Sequence, residues 1–142
     1  MFNRIKASMS EPKQAGGESK NSRALIYVVD DEAMLLELAK VILAPLGYRV
    51  QTFRDPDTAV QAFTEASPRP KLIITDYSMH NMTGMDLIVE CRRLEPDQKI
   101  IMVSGTVGEE VFRDSPIKPD HFLAKPYEIR QLTDLISSLL AN

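Results

Sequence analysis

The stretch that decides the fold runs from Leu72 to Gly84 and reads LIITDYSMHNMTG. Its first residues are apolar or β-branched, which is typical of a strand buried on both faces, and they stop at Asp76. A loop containing His80 follows, and a run with helical spacing begins near Gly84. A buried strand that ends on a carboxylate predicts a functional site at that end. The other residues that reach the same edge therefore decide what the site can do.

Four further apolar runs predict strands, and amphipathic segments separate them. The predicted strands are ALIYVV at 24–29, YRVQTF at 48–53, KLIIT at 71–75, KIIMV at 99–103 and HFLA at 121–124. Because continuous apolar strands alternate with helices, we expect one parallel sheet with right-handed crossovers and helices on both faces. The sequence thus predicts an α/β fold.

Helical spacing marks four stretches between and after these strands. The first helix is indicated by Met34, Leu35, Leu38, Val41, Ile42 and Pro45. The second opens with Asp55 as N-cap and Pro56 at its first position. The third, from about 84 to 94, is predicted to bury Leu87, Ile88 and Cys91. The last, from about 127 to 140, is predicted to turn Ile129, Leu132, Leu135, Ile136 and Leu139 inward.

Composition limits the classes of protein that fit. The 142 residues carry a net charge of -3, which disfavours direct nucleic-acid binding. A single cysteine suits a reducing compartment, and no apolar run is long enough for a transmembrane span or a signal peptide. We therefore expect a cytoplasmic protein without membrane insertion. Residues 1–22 are rich in small and polar residues and predict a flexible tail or linker, with one domain at 23–142.

Charged and hydroxyl side chains follow four of the predicted strands. Asp30 and Asp31 end the first strand, Asp76 the third, Ser104 the fourth and Lys125 the fifth. Ligands of open parallel sheets bind beyond the carboxyl ends of the strands, so these residues are expected to share one site. Clustered carboxylates repel one another, and Mg²⁺ would neutralise them. With Lys125 nearby, Asp76 becomes a nucleophile suited to phosphorus.

Simpler interpretations exist for single members of this set. Asp31 after a strand is also a common N-cap for the helix that follows. Lys125 before Pro126 is compatible with an ordinary turn. The side chains at all four strand ends suit the same reaction, which favours the phosphoryl-transfer interpretation.

The chain resembles a response-regulator receiver domain over about residues 24 to 140. The matching motifs are VVDDE with Asp30 and Asp31, IITDYSM with Asp76, MTGMDL with Gly84, MVSG with Ser104, and FLAKP with Phe122, Lys125 and Pro126. The resemblance implies the flavodoxin-like doubly wound sheet of five strands in the order 2-1-3-4-5. It also implies a signalling switch of a two-component or phosphorelay system.

The resemblance implies a role for each matching residue. Asp76 would accept a phosphoryl group from a phosphohistidine on a histidine kinase or histidine phosphotransfer protein. Mg²⁺ would be bound by Asp31, by Asp76 and by the main-chain carbonyl of Ser78, and Asp30 would act through water. The only reactions expected of the domain are its own phosphorylation and dephosphorylation.

The switching residues follow from the same resemblance. Lys125 would contact the phosphoryl oxygens, and its bond to Pro126 would be cis. Ser104 would move toward the phosphate, and Phe122 would rotate inward as the aromatic switch. The changed surface would then be read by a downstream partner protein.

Two departures from the family pattern are visible. His80 stands where proline is usual, so it is either a metal ligand or proton donor, or an exposed loop residue. Pro116 and Pro119 predict that any helix between the fourth and fifth strands is short and ends by Asp114. Met34 and Tyr127 are expected to flank the mouth of the site, where a phosphohistidine partner would dock.

Two other classes of function remain at this point. A Mg²⁺-dependent phosphatase with an aspartate nucleophile needs a second aspartate two positions later, and this chain has Ser78 there. A scaffold that is never phosphorylated would be indicated by loss of a site residue. Asp31, Asp76, Ser104 and Lys125 are all present, which favours the phosphoacceptor.

Overall fold

A five-stranded parallel sheet forms the centre of the protein, whose computed structural model describes residues 24–141. The strands are β1 (Leu25–Val29), β2 (Arg49–Phe53), β3 (Leu72–Asp76), β4 (Lys99–Ser104) and β5 (His121–Ala124). Their order across the sheet is β2-β1-β3-β4-β5, and every pairing is parallel. The predicted fold class is therefore confirmed. The tail predicted at 1–22 lies outside the described residues.

Four α-helices and two short 3-10 helices connect and follow these strands. The α-helices are α1 (Ala33–Leu43), α2 (Pro56–Glu65), α3 (Gly84–Leu94) and α4 (Ile129–Leu140). The 3-10 helices are Ala44–Leu46 and Glu109–Val111. Within residues 24–141, each helix is too short or too polar to cross a membrane.

Two hydrophobic clusters cover the two faces of the sheet. On one face α1 and α4 pack over strand residues such as Val28, Ile74 and Leu123. On the other face α2 and α3 pack over residues such as Ile73 and Met102. Strand residues alternate between the faces because successive side chains point to opposite sides. Burying both faces accounts for the continuous apolar runs of the sequence.

The buried face of α1 includes only some of the residues that marked this helix in the sequence, among them Ile42, which packs against the core. Leu36 and Leu43 face the sheet, whereas Met34 is 82% exposed and Val41 68% exposed, and Leu38 is also exposed. Both sets of residues repeat at helical spacing, so spacing alone could not choose between them.

The inward orientation predicted for Ile129 at the start of α4 was also wrong, since this side chain is 53% exposed.

The connection from β4 to β5 contains a single turn of 3-10 helix, Glu109–Val111, in place of a longer helix. This confirms the effect predicted for Pro116 and Pro119. Arg92 of α3 donates hydrogen bonds to the carbonyl of Lys118 and to the carboxylate of Asp120, each at 3.0 Å. These bonds attach the end of the connection to α3.

Candidate functional site

The carboxyl ends of the strands bring the predicted residues to one edge of the sheet. Asp30 directly follows β1, Asp76 and Ser104 end β3 and β4, and Lys125 directly follows β5. The backbone nitrogen of Lys125 donates to the carbonyl of Ser104 at 2.8 Å, which continues the pairing of β4 with β5 beyond the strand end. Neighbouring strands therefore place groups that are distant in sequence next to one another.

Three carboxylates form the acidic part of the site. One oxygen each from Asp30, Asp31 and Asp76 lies within 4.8 Å of the other two. Asp30 and Asp76 are buried, with Asp76 only 8% exposed, while Asp31 is partly exposed. A donor set made only of oxygen suits a hard divalent cation such as Mg²⁺. The residues present therefore fit the metal that the sequence suggested.

Lys125 supplies the positive charge of the site. Its Nζ lies 3.5 Å from Oδ2 of Asp30 and 3.3 Å from Oδ1 of Asp76. Burial lowers the pKa of the Lys125 ammonium, but the charges of Asp30 and Asp76 outweigh burial and leave that pKa raised. Lys125 is therefore a permanent cation beside Asp76.

Burial dominates the electrostatics of Asp76. It raises the pKa of the Asp76 carboxyl, and the nearby charge of Asp30 acts in the same direction. Lys125 opposes this shift without cancelling it. A carboxylate that is desolvated in this way gains from an additional positive charge nearby.

Asp31 is not the N-cap of α1, which was its alternative role. The N-cap of α1 is Glu32, and no side chain caps this helix. Asp30 instead accepts a hydrogen bond at 2.9 Å from the backbone nitrogen of Glu32. This bond fixes one carboxylate oxygen of Asp30, and the side chain of Asp31 remains available at the rim of the site.

Ser104 is held by the loop that follows β4. Its Oγ accepts hydrogen bonds at 3.1 Å from the backbone nitrogens of Thr106 and Val107. The Oγ1 of Thr106 lies 3.3 Å from this oxygen and 3.0 Å from the Oγ of Ser78. Sequence reasoning missed Thr106, because no motif distinguishes a threonine in a polar loop from a surface residue.

The remaining predicted residues differ in burial and in their contacts. Phe122 is partly buried, with its ring centroid 5.9 Å from that of Phe112. The peptide bond between Lys125 and Pro126 is cis, as the resemblance implied. Met34 is exposed near the start of α1, and Tyr127 is half-buried against the cluster under α1 and α4.

His80 lies mainly in solvent. Its side chain is 83% exposed, and its Nε2 is 3.9 Å from Oδ2 of Asp31. Among the described residues, the group of side chains close enough to share a metal ion consists of the three aspartates without His80. The exposed-loop interpretation therefore describes His80 better than a role as a ligand.

Gly84 sets the distance between α3 and the site. A Cβ atom at this position would lie 2.6 Å from the carbonyl oxygen of Asp76 and 3.0 Å from the Cα of Tyr77. The backbone nitrogen of Gly84 donates to the carbonyl of Tyr77 at 2.8 Å. Only glycine allows the helix to begin this close to the end of β3.

The chain belongs to the response regulator receiver domain family, whose model matches residues 26–137. A similar curated protein is the sensor kinase CckA of Brucella abortus, 27% identical over 131 residues. The match covers 92% of this chain but 14% of the kinase, so the chain spans only a small part of that relative.

Solved receiver structures share the fold. A CheY-like receiver domain protein from Methanospirillum hungatei matches with a TM-score of 0.77 and 27% identity, covering 84% of this chain and 94% of that one. The response regulator TrrA from Thermotoga maritima, in complex with Mg(2+)-BeF, matches with a TM-score of 0.72 and 27% identity. That match covers 82% of this chain and 99% of TrrA.

Proposed function

We propose that this chain is a phosphoacceptor switch of a two-component or phosphorelay system and that Asp76 receives the phosphoryl group. One observation carries the proposal: the buried carboxylate of Asp76 lies 3.3 Å from the ammonium of Lys125 and shares a cluster with Asp30 and Asp31. Membership of the receiver family supports it. The site thus combines an oxygen nucleophile with a cation for the transferred group.

The chain's own residues divide the work of phosphoryl transfer. Asp76 attacks phosphorus with a carboxylate oxygen, and Lys125 holds the phosphoryl oxygens by its charge. Asp31, Asp76 and the main-chain carbonyl of Ser78 would hold Mg²⁺, with Asp30 acting through water. When bound, the metal supplies charge neutralisation for the incoming phosphoryl group. The same site would later hydrolyse the aspartyl phosphate.

Ser104 and Phe122 are the proposed switch residues. The Oγ of Ser104 already accepts two backbone hydrogen bonds, so a move toward a phosphoryl group at Asp76 would release Thr106 and Val107. Phe122 packs on Phe112 of the β4–β5 connection, and its inward rotation would break this contact. Phosphorylation would thus alter a surface that a downstream protein can read.

The proposed phosphodonor is a histidine kinase or histidine phosphotransfer protein in the cytoplasm. Tyr127 lines the same cavity as Asp30 and Asp76, and the high exposure of Met34 suits a residue that contacts a docked partner. We place the receiver domain at residues 23–142. Output is expected through a protein partner and not through nucleic acid bound by this chain.

Intact-protein mass spectrometry tests the proposal after incubation with acetyl phosphate and Mg²⁺. Wild type should gain the mass of one phosphoryl group, and Asp76→Asn or an excess of chelator should abolish the gain. Asp134→Asn is the matched control, because Asp134 is an exposed residue of α4 away from the site. If the protein binds Mg²⁺ but gains no mass, a binding scaffold replaces the switch as the better conclusion.

A further inference from the structure

A cavity of about 320 Å³ lies between α1 and α4, beside the candidate site. Leu38 and Ala39 of α1 stand on one side of it, and Ile129 and Leu132 of α4 stand on the other. Leu38 is 47% exposed and Ile129 53% exposed, so the cavity opens to solvent between them. A concave site of this size with apolar walls can receive a large apolar side chain.

The surface around the mouth of the cavity is apolar as well. Met34, Leu38 and Val41 follow one another along α1 at intervals of four and three residues, so they form one exposed stripe on this helix. Within residues 24–141, the helices of the opposite face, α2 and α3, expose one large apolar side chain, Val89. Exposed apolar side chains that lie together commonly mark a binding surface.

The chain itself contains a short segment that could bind there. Residues 1–9 read MFNRIKASM, and their large apolar members Phe2, Ile5 and Met9 are separated by three and four positions. This is the spacing of the anchor residues of a helix that binds in an apolar groove. Residues 10–23 contain no large apolar residue, so the anchors are confined to the first nine positions.

The chain is long enough to bring this segment to the cavity. Ala24 directly precedes β1, whereas the cavity lies toward the carboxyl end of the same strand, where Val28 and Val29 line it. The length of β1 separates the two places by about 17 Å. The 14 residues from 10 to 23 can extend over as much as about 45 Å.

Charge also favours this segment. The polar end of the cavity belongs to the acidic site, where three carboxylates outnumber the ammonium of Lys125. Residues 1–9 contain Arg4 and Lys6 and no acidic residue. A basic segment is attracted to an excess of negative charge, and opposite charges on the two surfaces fix the orientation in which they bind.

We propose that residues 1–9 bind to the cavity and to the exposed stripe of α1 of their own chain, with Phe2 inserted in the cavity. A connection of 14 residues holds the segment at an effective concentration in the millimolar range, which favours it over a second copy of the chain. The bound segment would cover Met34 and so compete with a docking phosphodonor. That consequence rests on the proposed function, whereas the contact itself does not.

Tryptophan fluorescence of the full chain tests the contact. The chain has no tryptophan, so Phe2→Trp introduces a single reporter at the residue that should be buried. In the folded protein its emission should lie at shorter wavelength than in urea, and quenching by acrylamide should be several-fold weaker than for N-acetyltryptophanamide. An emission and a quenching constant equal to those of the free compound would overturn the proposal.

Two serine variants of this reporter protein separate the cavity from general effects. Leu38→Ser removes an apolar wall and should shift the emission and the quenching toward the values in urea. Val89→Ser is the matched control, because Val89 is 41% exposed on α3 and Leu38 is 47% exposed on α1. Circular dichroism verifies that both variants fold. Equal fluorescence in the two variants would contradict binding at the cavity.

A variant within the segment gives the same test without altering the folded domain. Ile5→Ser in the reporter protein should expose the tryptophan, whereas Asn3→Ser should not, because only the former removes an apolar anchor. Fluorescence that does not change with protein concentration supports binding within one chain. Burial of the tryptophan that increases with concentration would assign the surface to a second copy and overturn the proposal. Phosphorylation of Asp76 by acetyl phosphate is measured separately, so the proposed function and this contact can fail independently.

Discussion

At the scale of single residues, the surroundings of a buried group decide its chemistry. Asp76 and Cys91 are both nearly inaccessible, yet their surroundings differ. Asp76 has Lys125 beside it and the acidic site around it, whereas Cys91 is enclosed by apolar residues of α3 and the sheet. The cysteine is therefore a packed core residue, as the sequence predicted, whereas the aspartate has the surroundings expected of the proposed phosphoacceptor.

Cys91 should not react with thiol reagents while the protein is folded. Burial raises the pKa of its thiol from 9.0 to about 12, so the reactive thiolate is scarce at pH 8. Ellman's reagent at pH 8 should label the protein only after denaturant is added. Between pH 9 and this raised pKa, the thiol ionises in the unfolded protein but stays protonated in the folded protein. The free energy of unfolding therefore falls as the pH rises through this range. Rapid labelling of native protein would contradict the expectation.

Ser78 should influence how long the phosphoryl group stays on Asp76. Its hydroxyl lies 3.0 Å from that of Thr106, and Ser78 is exposed two residues after Asp76, where we expect the attacking water to pass. Ser78→Leu places a bulky apolar group there, and we expect several-fold slower hydrolysis of the aspartyl phosphate. Loss of the phosphoryl mass with time measures this rate, and Ser138→Leu on exposed α4 surface is the control. Equal lifetimes in all three proteins would refute the role of Ser78.

At the scale of elements, the start of α3 is fixed by two devices. Gly84 allows the close approach to Asp76, and Thr83 forms a capping box with Asp86. In that box the Asp86 nitrogen donates to the Thr83 hydroxyl, and the Thr83 nitrogen donates to the Asp86 carboxylate. The loop between Asp76 and α3 is thereby held at both ends.

Removing the cap should cost measurable stability. Thr83→Ala is expected to lower the free energy of unfolding by about 1 kcal/mol and the melting temperature by about 4 °C. Thr64→Ala is the matched control, because Thr64 is an exposed residue of α2 whose hydroxyl donates to the carbonyl of Val60. Thermal unfolding followed by circular dichroism compares the variants. Equal losses in the two would show that the box does not stabilise α3.

At the scale of the whole molecule, alternation of strands and helices was enough to predict the sheet, and strand ends were enough to predict Asp30, Asp76, Ser104 and Lys125 as neighbours. The orientation of α1 was not predictable, because two apolar stripes of that helix satisfy the same spacing and only packing selects Leu36 and Leu43. The cavity was not predictable either, since it depends on the separation of two helices.

We expect the β4–β5 connection to open more easily than the centre of the sheet. Residues 105–120 include one short 3-10 helix and several exposed residues, whereas Ile100–Val103 of β4 are fully enclosed. Backbone amides within 106–118 should therefore exchange with deuterium much faster than those of Ile100–Val103. Hydrogen exchange followed by mass spectrometry checks this. Comparable protection in the two segments would indicate a connection as stable as the core.

Asp30 and Lys125 touch at 3.5 Å although 95 positions separate them along the chain. The reactive constellation consequently exists only after β1, β3 and β5 have all taken their places, and no fragment of the chain can reproduce it. The fraction of molecules that take up a phosphoryl group therefore reports the fraction that is native. A brief pulse of donor during refolding would add the mass of one phosphoryl group to each molecule whose sheet is complete. The labelled fraction at successive times would then report how fast the fold assembles.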